Sequence, residues 1–355
     1  MHAANAMRFM EDYMVEPSSG EERPRPILEP VPEEWNARLM QAEVDFPVER
    51  SEVLGTDNSL KARIVYVLVR GMEQTLGRLP CAVLDPFLGV LARIATRFDR
   101  RHTQAAEAYI RAAFPDAKPA EVRSLMLGAW RHFANISLRA SHLSGLLGQP
   151  LGEHFEVRMS PEAREVIESD QGCVLVSAHV GNWEAIGYAC QALGVVPFYG
   201  VSKAPRNGFL ARHMQTTREA CGLRMIPRKG AMTSAPKVLR AGGSVMMLLD
   251  HRARLKPVWA KLFGRPAGCD RSAGVLLRRI GAPILFFGCY EQAQGPRFRL
   301  DLGTVTRPSD LAGLAPEVIA RRINVELEHL ILAQPDQYFW LHDRFKDAPD
   351  TLPDK

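Results

Sequence analysis

The chain has 355 residues, of which 46% are hydrophobic and 24% are charged, and its formal net charge is +5. This composition fits a globular protein of one large domain or two closely packed ones, whose core needs no disulfide. The six cysteines form no C-x-x-C pair, so we expect reduced thiols in a cytosolic compartment and no metal site.

The charge is unevenly distributed along the chain. Residues 1–60 carry a net charge of −8, and the remaining residues therefore carry +13. A basic body suits anionic partners such as phosphorylated carriers, acidic lipids or nucleic acid, although the charge could also aid solubility alone. No stretch reaches 18 consecutive apolar residues, and the first residues lack the pattern of a secretory signal, so we expect neither a spanning helix nor a signal.

Three regions follow one another in the sequence. Residues 1–58 form an acidic, proline-rich extension that we expect to be disordered or to lie over the body. Residues 59–150 predict a helical N-terminal lobe, with a break at Pro80 and another at Pro86. The stretch 84–101 is apolar first and arginine-rich afterwards, which suits either a helix on a membrane interface or a core helix with a solvated end.

Residues 151–350 predict an α/β core. Apolar strand-like runs alternate with helical stretches, and C-V-L-V-S (173–177) is a continuous apolar run of the kind that is buried on both faces of a parallel sheet. Residues 315–334 predict a long amphipathic helix. The predicted fold class is therefore α/β, with a mixed, mainly parallel sheet sandwiched by helices and an α-helical N-terminal lobe.

The strand 173–177 ends just before His179, and Glu184 follows five residues later in S-A-H-V-G-N-W-E. On one continuous helix these two residues would lie about 140° apart, so neither a shared helix face nor the i, i+4 pair of a zinc helix is possible. If the helix instead begins near Asn182 as N-cap, after a turn relieved by Gly181, both side chains can reach one crevice at the carboxyl edge of the sheet.

Such a pair has a chemical use. A neutral imidazole can take a proton from a hydroxyl, and a carboxylate on its other nitrogen fixes the tautomer and stabilises the imidazolium. Because no G-x-S-x-G motif is present, the attacking group would be the substrate's own hydroxyl, as in acyl transfer from an activated ester. The alternative is that His179 is a core residue and Glu184 a surface residue.

This stretch resembles the H-x-x-x-x-E signature of the late acyltransferases of lipid A biosynthesis, the lauroyl and myristoyl transferases. Further blocks follow in the family's order and cover roughly residues 62–346. They are R-A-A-F-P-D-A (111–117), T-R-E-A-C-G (217–222), L-R-A-G-G-S-V-M-M-L-L-D (239–250), L-F-G-R-P-A-G (262–268) and Q-P-D-Q-Y-F-W-L-H-D-R-F-K (334–346). Two departures are that the family's Asp-Gln pair is Asp250-His251 here, and that the apolar spanning helix of many members is replaced by a broken apolar region.

The resemblance implies a membrane-associated O-acyltransferase. Its donor would be an acyl thioester of acyl carrier protein or coenzyme A, with no bound cofactor, and its acceptor a hydroxyl of a lipid, often a glycolipid. His179 would be the general base, Glu184 its partner, and Arg218 the arginine that stabilises charge. The departures suggest peripheral attachment to the cytoplasmic face of the bacterial inner membrane. The alternative is a non-catalytic homologue that binds lipid or carrier.

Further residues, among them Arg218 and Asn182, are predicted to contact substrate. Asp250 ends an apolar strand at the same sheet edge, although it could equally cap a helix or pair with an arginine. Arg252 and Arg254 belong to a basic, aromatic-containing loop (251–265) that suits a phosphorylated head group on an anionic membrane surface, or an acidic carrier protein. The loop could also be simply solvated. We expect no nucleic acid partner, because no known binding module is present. For Trp340, His342, Arg344 and Lys346 we favour a structural role.

Overall fold

The computed structural model describes residues 24–40, 46–52, 55–169 and 171–352. Its strands are β1 (Glu29–Pro30), β2 (Phe155–Met159), β3 (Val174–Ser177), β4 (Phe198–Ser202), β5 (Leu223–Pro227), β6 (Ser244–Leu248), β7 (Val258–Leu262), β8 (Arg265–Cys269), β9 (Ile284–Glu291) and β10 (Phe298–Thr306). The predicted disorder of residues 1–58 falls largely on residues outside the described part of the chain, and the three-region division stays a prediction.

Among the described residues, eight strands form one sheet in the order β1-β2-β10-β9-β3-β6-β4-β5. The pairs β2–β10, β9–β3, β3–β6, β6–β4 and β4–β5 are parallel, whereas β1–β2 and β10–β9 are antiparallel. Strands β7 and β8 form a separate antiparallel hairpin. The predicted fold class, a mixed and mainly parallel sheet with helices, is confirmed.

The helices are α1 (Glu33–Asn36), α2 (Leu60–Thr75), α3 (Cys81–Phe98), α4 (Arg100–Ala113), α5 (Pro119–Arg139), α6 (Leu151–His154), α7 (Pro161–Glu168), α8 (Ile186–Ala192), α9 (Gly208–Glu219), α10 (Ala231–Arg240), α11 (Ser272–Ile280) and α12 (Pro316–Ala333). Short 3₁₀ segments lie at Leu76–Arg78, Ala140–Leu146, Pro308–Leu311 and Pro335–Gln337. In the described residues, no helix combines the length and the apolar character needed to cross a membrane.

Both faces of β3 are covered, as its apolar run predicts. Val174 and Val176 belong to a core that includes α12, and the intervening Leu175 belongs to a second core on the other face. Successive strand residues point to opposite faces, so this alternation means that helices pack on both sides of the sheet. The ends of β3 and its neighbours are thereby held in a rigid frame.

The N-terminal helices differ from their prediction at one position. The helix α3 continues through Pro86, where the sequence predicted a break, whereas a break does occur between residues 76 and 80. A proline inside a helix removes one backbone hydrogen bond. Burial of Leu84 and Leu88 against Leu138 stabilises the helix on both sides of that position.

A short part of the N-terminal region packs on the sheet. Glu29 and Pro30 pair with Met159 and Arg158 at the outer edge of β2, and Trp35 of α1 is buried. This segment therefore covers the edge of the sheet that β2 would otherwise expose.

Candidate active site

A glycine turn carries the chain out of β3. Gly181 has a φ of +58°, and a Cβ atom there would lie 1.9 Å from the carbonyl oxygen of Cys289. Its amide donates to the carbonyl of Gln337 at 3.0 Å, so the turn is fixed between β9 and the C-terminal segment. Any side chain at this position would push the turn away from β9.

His179 lies in this turn, two residues beyond the end of β3. Its carbonyl accepts a hydrogen bond from the amide of Phe339 at 3.0 Å, and its side chain is 19% exposed. The ring edge meets the ring of Trp183, with centroids 5.1 Å apart. The imidazole is therefore oriented by packing but still reaches solvent at the carboxyl edge of the sheet.

The carboxylate partner of His179 is Asp250. Its Oδ1 lies 2.8 Å from Nδ1 of His179. Strand β6 runs parallel to β3, with Ser177 opposite Leu248, so the residues that follow both strands emerge side by side. With the carboxylate ionised, Nδ1–H donates to Asp250 and the lone pair is left on Nε2, which is the arrangement of a general base.

Two buried tyrosines continue this network. The hydroxyl of Tyr338 donates to Oδ2 of Asp250 at 3.0 Å, and it lies 3.0 Å from the hydroxyl of Tyr109. Burial raises the pKa of the Asp250 carboxyl, but the charge and hydrogen bond of His179 outweigh that effect and hold the pKa well below its usual value. Asp250 is therefore a fully buried carboxylate that stays ionised beside the histidine.

Glu184 does not pair with the imidazole, contrary to the sequence-based prediction. Its two carboxylate oxygens accept from Nη2 and Nε of Arg218 at 2.6 and 2.8 Å, and Oε1 also accepts from Nε1 of Trp183 at 3.2 Å. The helix α8 begins at Ile186 rather than near Asn182, so Glu184 lies in the preceding turn and faces α9. It contacts the histidine indirectly, through the indole that packs on it.

The Glu184–Arg218 pair is largely removed from solvent, with side chains 14% and 16% exposed. Burial raises the pKa of Glu184, but the adjacent guanidinium lowers it further, to below its ordinary value. Burial lowers the pKa of Arg218, and the glutamate more than reverses this. Both groups are charged and bidentately paired, so the guanidinium is already engaged in the structure.

Asn182 is not the helix cap that the sequence predicted. Its side-chain amide donates to Oε1 of Glu291 at 2.9 Å, and its backbone amide donates to the carbonyl of Cys289. Asn135 of α5 donates to the other oxygen of Glu291 at 2.9 Å. Asn182 therefore joins the turn to β9 and, through Glu291, to α5.

The predicted basic residues lie beyond the ends of β4, β5 and β6. Arg252 donates to the carbonyl of Lys346 at 3.1 Å and forms an ion pair with Asp347. Arg254 is exposed, as are Lys203, Arg206, Arg228, Lys229 and Lys256. These strands are parallel to β3 and lie to one side of it in the sheet, so this basic rim, formed by Arg254 and those five residues, lies along the same edge as His179.

The closing segment brings residues to the site, among them His342, for which the sequence favoured a structural role. Nε2 of His342 lies 3.1 Å from the carbonyl oxygen of Asp250, and its ring is 4.8 Å from that of His251. Tyr338 was not singled out, although it stands in the closing block that resembles the family. Trp340 and Arg344 are buried and donate to the carbonyls of Pro335 and Gly268 at 2.6 and 2.8 Å.

One cluster of the site has metal-binding side chains. Single ligand atoms of His179, Asp250 and His251 lie within 4.8 Å of one another. The sequence-based analysis predicted no metal. The ring centroids of His179 and His251 are 4.2 Å apart, which is an edge contact.

A mainly parallel sheet with a histidine–carboxylate pair at its carboxyl edge is an arrangement that enzymes use for general-base chemistry. The chain matches the model of the bacterial lipid A biosynthesis acyltransferases over residues 56–347, and it therefore belongs to this family and is an acyltransferase. The lipid A biosynthesis lauroyltransferase of Escherichia coli (strain K12) is 25% identical over 302 residues, which are 82% of this chain and 92% of that protein. The predicted family is confirmed, and membership implies an acyl donor and a lipid acceptor as substrates.

Proposed function

We propose that the protein transfers a fatty acyl chain from a thioester of acyl carrier protein or coenzyme A to a hydroxyl of a lipid A-like or other (glyco)lipid. The observation that carries the proposal is the 2.8 Å contact between Nδ1 of His179 and Asp250, at the solvent-accessible edge of the sheet of an acyltransferase. Nε2 of the imidazole is the base that such a reaction needs.

The proposed reaction needs one proton acceptor, and the imidazole of His179 passes the proton from the acceptor hydroxyl to the leaving thiolate. Nε2 of His179 takes the proton of the acceptor hydroxyl while its oxygen attacks the thioester carbonyl carbon. The carbon–sulfur bond then breaks, and the thiolate that leaves takes the proton from the imidazolium. Asp250 stabilises the imidazolium between these two transfers, because a buried carboxylate interacts strongly with a charge 2.8 Å away.

Glu184 and Arg218 act in this proposal as positioning residues. The pair holds the indole of Trp183 by a 3.2 Å hydrogen bond, and the indole packs on the ring of His179. A fixed imidazole catalyses proton transfer faster than a mobile one, because small displacements of a base lower the rate strongly. In this proposal Arg252 and the basic rim contact the substrate, because their positive charge suits donor phosphates or acidic head groups.

Peripheral attachment to the cytoplasmic face of the bacterial inner membrane completes the proposal. Large apolar side chains of α2 and α3 are exposed, namely Leu60, Ile64, Val65, Val67, Leu68, Met72, Val83, Phe87, Val90, Ile94 and Phe98. We call this set the apolar helix face. On α3 the exposed residues follow helical spacing on a side about 100° around the helix from the buried Leu84 and Leu88, so this helix has a second apolar side. Exposed arginines at 93, 97, 100 and 101 accompany it and suit anionic lipid.

The direct test is transfer in vitro. Purified protein is incubated with lauroyl, myristoyl and palmitoyl thioesters of acyl carrier protein and of coenzyme A, each with a bacterial lipid extract in vesicles, and products are measured by mass spectrometry. The proposal predicts a lipid whose mass rises by one acyl group. It is wrong if no donor yields an acylated lipid while an active lauroyltransferase in the same assay does.

A further inference from the structure

The three groups within 4.8 Å of one another differ in how far they reach solvent. Asp250 is buried, His179 is half-buried and His251 is exposed. Solvent exposure therefore increases across the cluster from Asp250 to His251. An ion arriving from solvent would meet the histidines first. Two imidazoles and one carboxylate are a ligand set that zinc and cobalt bind well, with a fourth position left open.

The geometry of the cluster is close to that of a metal site. Ligand atoms of a tetrahedral zinc ion, each about 2.1 Å from the metal, are about 3.4 Å apart. The ligand atoms need to approach one another from at most 4.8 Å. His251 is exposed and accepts no hydrogen bond from another described residue, so closure requires only a shift of its ring against the rings of His179 and His342, whose centroids lie 4.2 and 4.8 Å away. Asp250 is already fixed by Tyr338, and its backbone contacts His342, which are the outer contacts that orient a metal-ligating carboxylate.

We propose that His179, Asp250 and His251 form an inhibitory binding site for a divalent transition metal such as zinc. The ion replaces the proton between His179 and Asp250 or takes the lone pair of the imidazole, and in either case His179 loses its function as a base. The binding site stands on the cluster alone, whereas inhibition rests on the proposed function.

Binding is measured with cobalt, whose absorption bands report the coordination number. Chelator-treated protein is titrated with Co²⁺, and zinc is then added as competitor. We expect one ion per chain, a spectrum of four or five ligands, and displacement by zinc. His251→Gln should weaken binding at least about tenfold. His329→Gln is the control, because it makes the same substitution at a histidine of α12 outside the cluster.

The cobalt titration also distinguishes metal bound by the histidine cluster from metal bound by cysteines. The described free cysteines are buried, and metal held by thiolates would show intense charge-transfer bands and survive His251→Gln. Wild type that binds no cobalt, or a His251→Gln variant that binds it as tightly as wild type, would overturn the proposal.

Activity provides the second readout. Micromolar zinc should inhibit wild type and the His329→Gln control, and the His251→Gln enzyme should need at least about tenfold more zinc to lose the same fraction of its own zinc-free rate. Cobalt binding that depends on His251, in a protein that transfers no acyl group, would leave the site standing and reject the proposed function. Equal zinc sensitivity of wild type and His251→Gln would overturn the inhibitory role.

Discussion

Asp250 bonds to the imidazole of His179 although the two residues are 71 positions apart in the chain, and Glu184, five positions from the histidine, bonds to Arg218. The carboxylate that fixes the proposed base therefore follows the neighbouring parallel strand. The glutamate of the H-x-x-x-x-E motif stabilises the turn that carries the base. This division of roles leads to different expectations for the two acids.

Asp250→Asn should lower kcat roughly 10³-fold with little change in KM. The amide cannot stabilise the imidazolium, and it favours the wrong tautomer of His179. The rate of acyl transfer at saturating donor measures this effect. Asp343→Asn, at an exposed position of the closing segment, is the control. Activity of Asp250→Asn within threefold of wild type would contradict the assignment.

Glu184→Gln should destabilise the protein by about 3 kcal/mol, because it leaves the charge of Arg218 without its partner in a largely enclosed site. Urea unfolding at pH 7 gives the free energy. Glu165→Gln removes a carboxylate that is 69% exposed and pairs with Arg307 on the surface, and it should cost less than about 1 kcal/mol. If the two variants lose the same free energy of unfolding, the Glu184–Arg218 pair stabilises the protein no more than a surface ion pair does.

The advantage of wild type over Glu184→Gln should depend on pH. The folded-state pKa of Glu184 lies below its ordinary value of 4.5, so the unfolded chain binds the proton more tightly. The stabilisation is therefore fully present above that ordinary value and is lost as pH falls through the folded-state pKa. Urea midpoints measured from about pH 6 down to about pH 3 should converge for the two proteins. A constant difference across that range would argue against the assigned pKa direction.

Tyr338→Phe should lower kcat roughly tenfold, because it removes the donor to Oδ2 of Asp250 and leaves that buried oxygen without its partner. The measurement is the same transfer assay, read as kcat and KM separately. Tyr290→Phe removes another buried hydroxyl, which donates to the carbonyl of Leu330, and serves as control. If both variants lose activity equally, the effect is one of general packing.

Vesicle binding tests the apolar helix face. The double variant Phe87→Glu, Val90→Glu should partition into anionic vesicles at least about tenfold less than wild type, because two exposed apolar groups become charged. Sedimentation with vesicles measures the bound fraction. Ile27→Glu, at a 79% exposed apolar position outside α2 and α3, should bind like wild type. Unchanged binding of the double variant would reject this surface.

Local patterns predicted the end of β3 at Ser177 and the alternation of strands and helices, because both depend on residues that are near in sequence. The partner of His179 depends on which strand lies beside β3, and that order is set by the whole sheet. Asp250 was placed at the correct edge, but its bond to the histidine had no local signal. Tyr109 and Tyr338 meet across 229 positions, and two scattered tyrosines form no motif.

The start of α8 could not be placed for a different reason. Asn182 is a good N-cap residue, and its position before an apolar stretch favours a helix there. In the structure Glu291 and the carbonyl of Cys289 bind its side chain and its backbone, and these tertiary contacts delay the helix until Ile186. That delay turns Glu184 away from the imidazole.

The central claim is that His179 is the base of an acyl transfer. The measurement is the turnover of wild type, His179→Ala and His329→Ala with one thioester donor and vesicles of bacterial lipid, followed by mass spectrometry of the lipids. The two histidines are equally exposed, at 19%, so the variants are matched for burial. We predict acylated lipid from wild type and His329→Ala and at least about 10³-fold less from His179→Ala. Wild-type turnover by a folded His179→Ala enzyme would contradict the account.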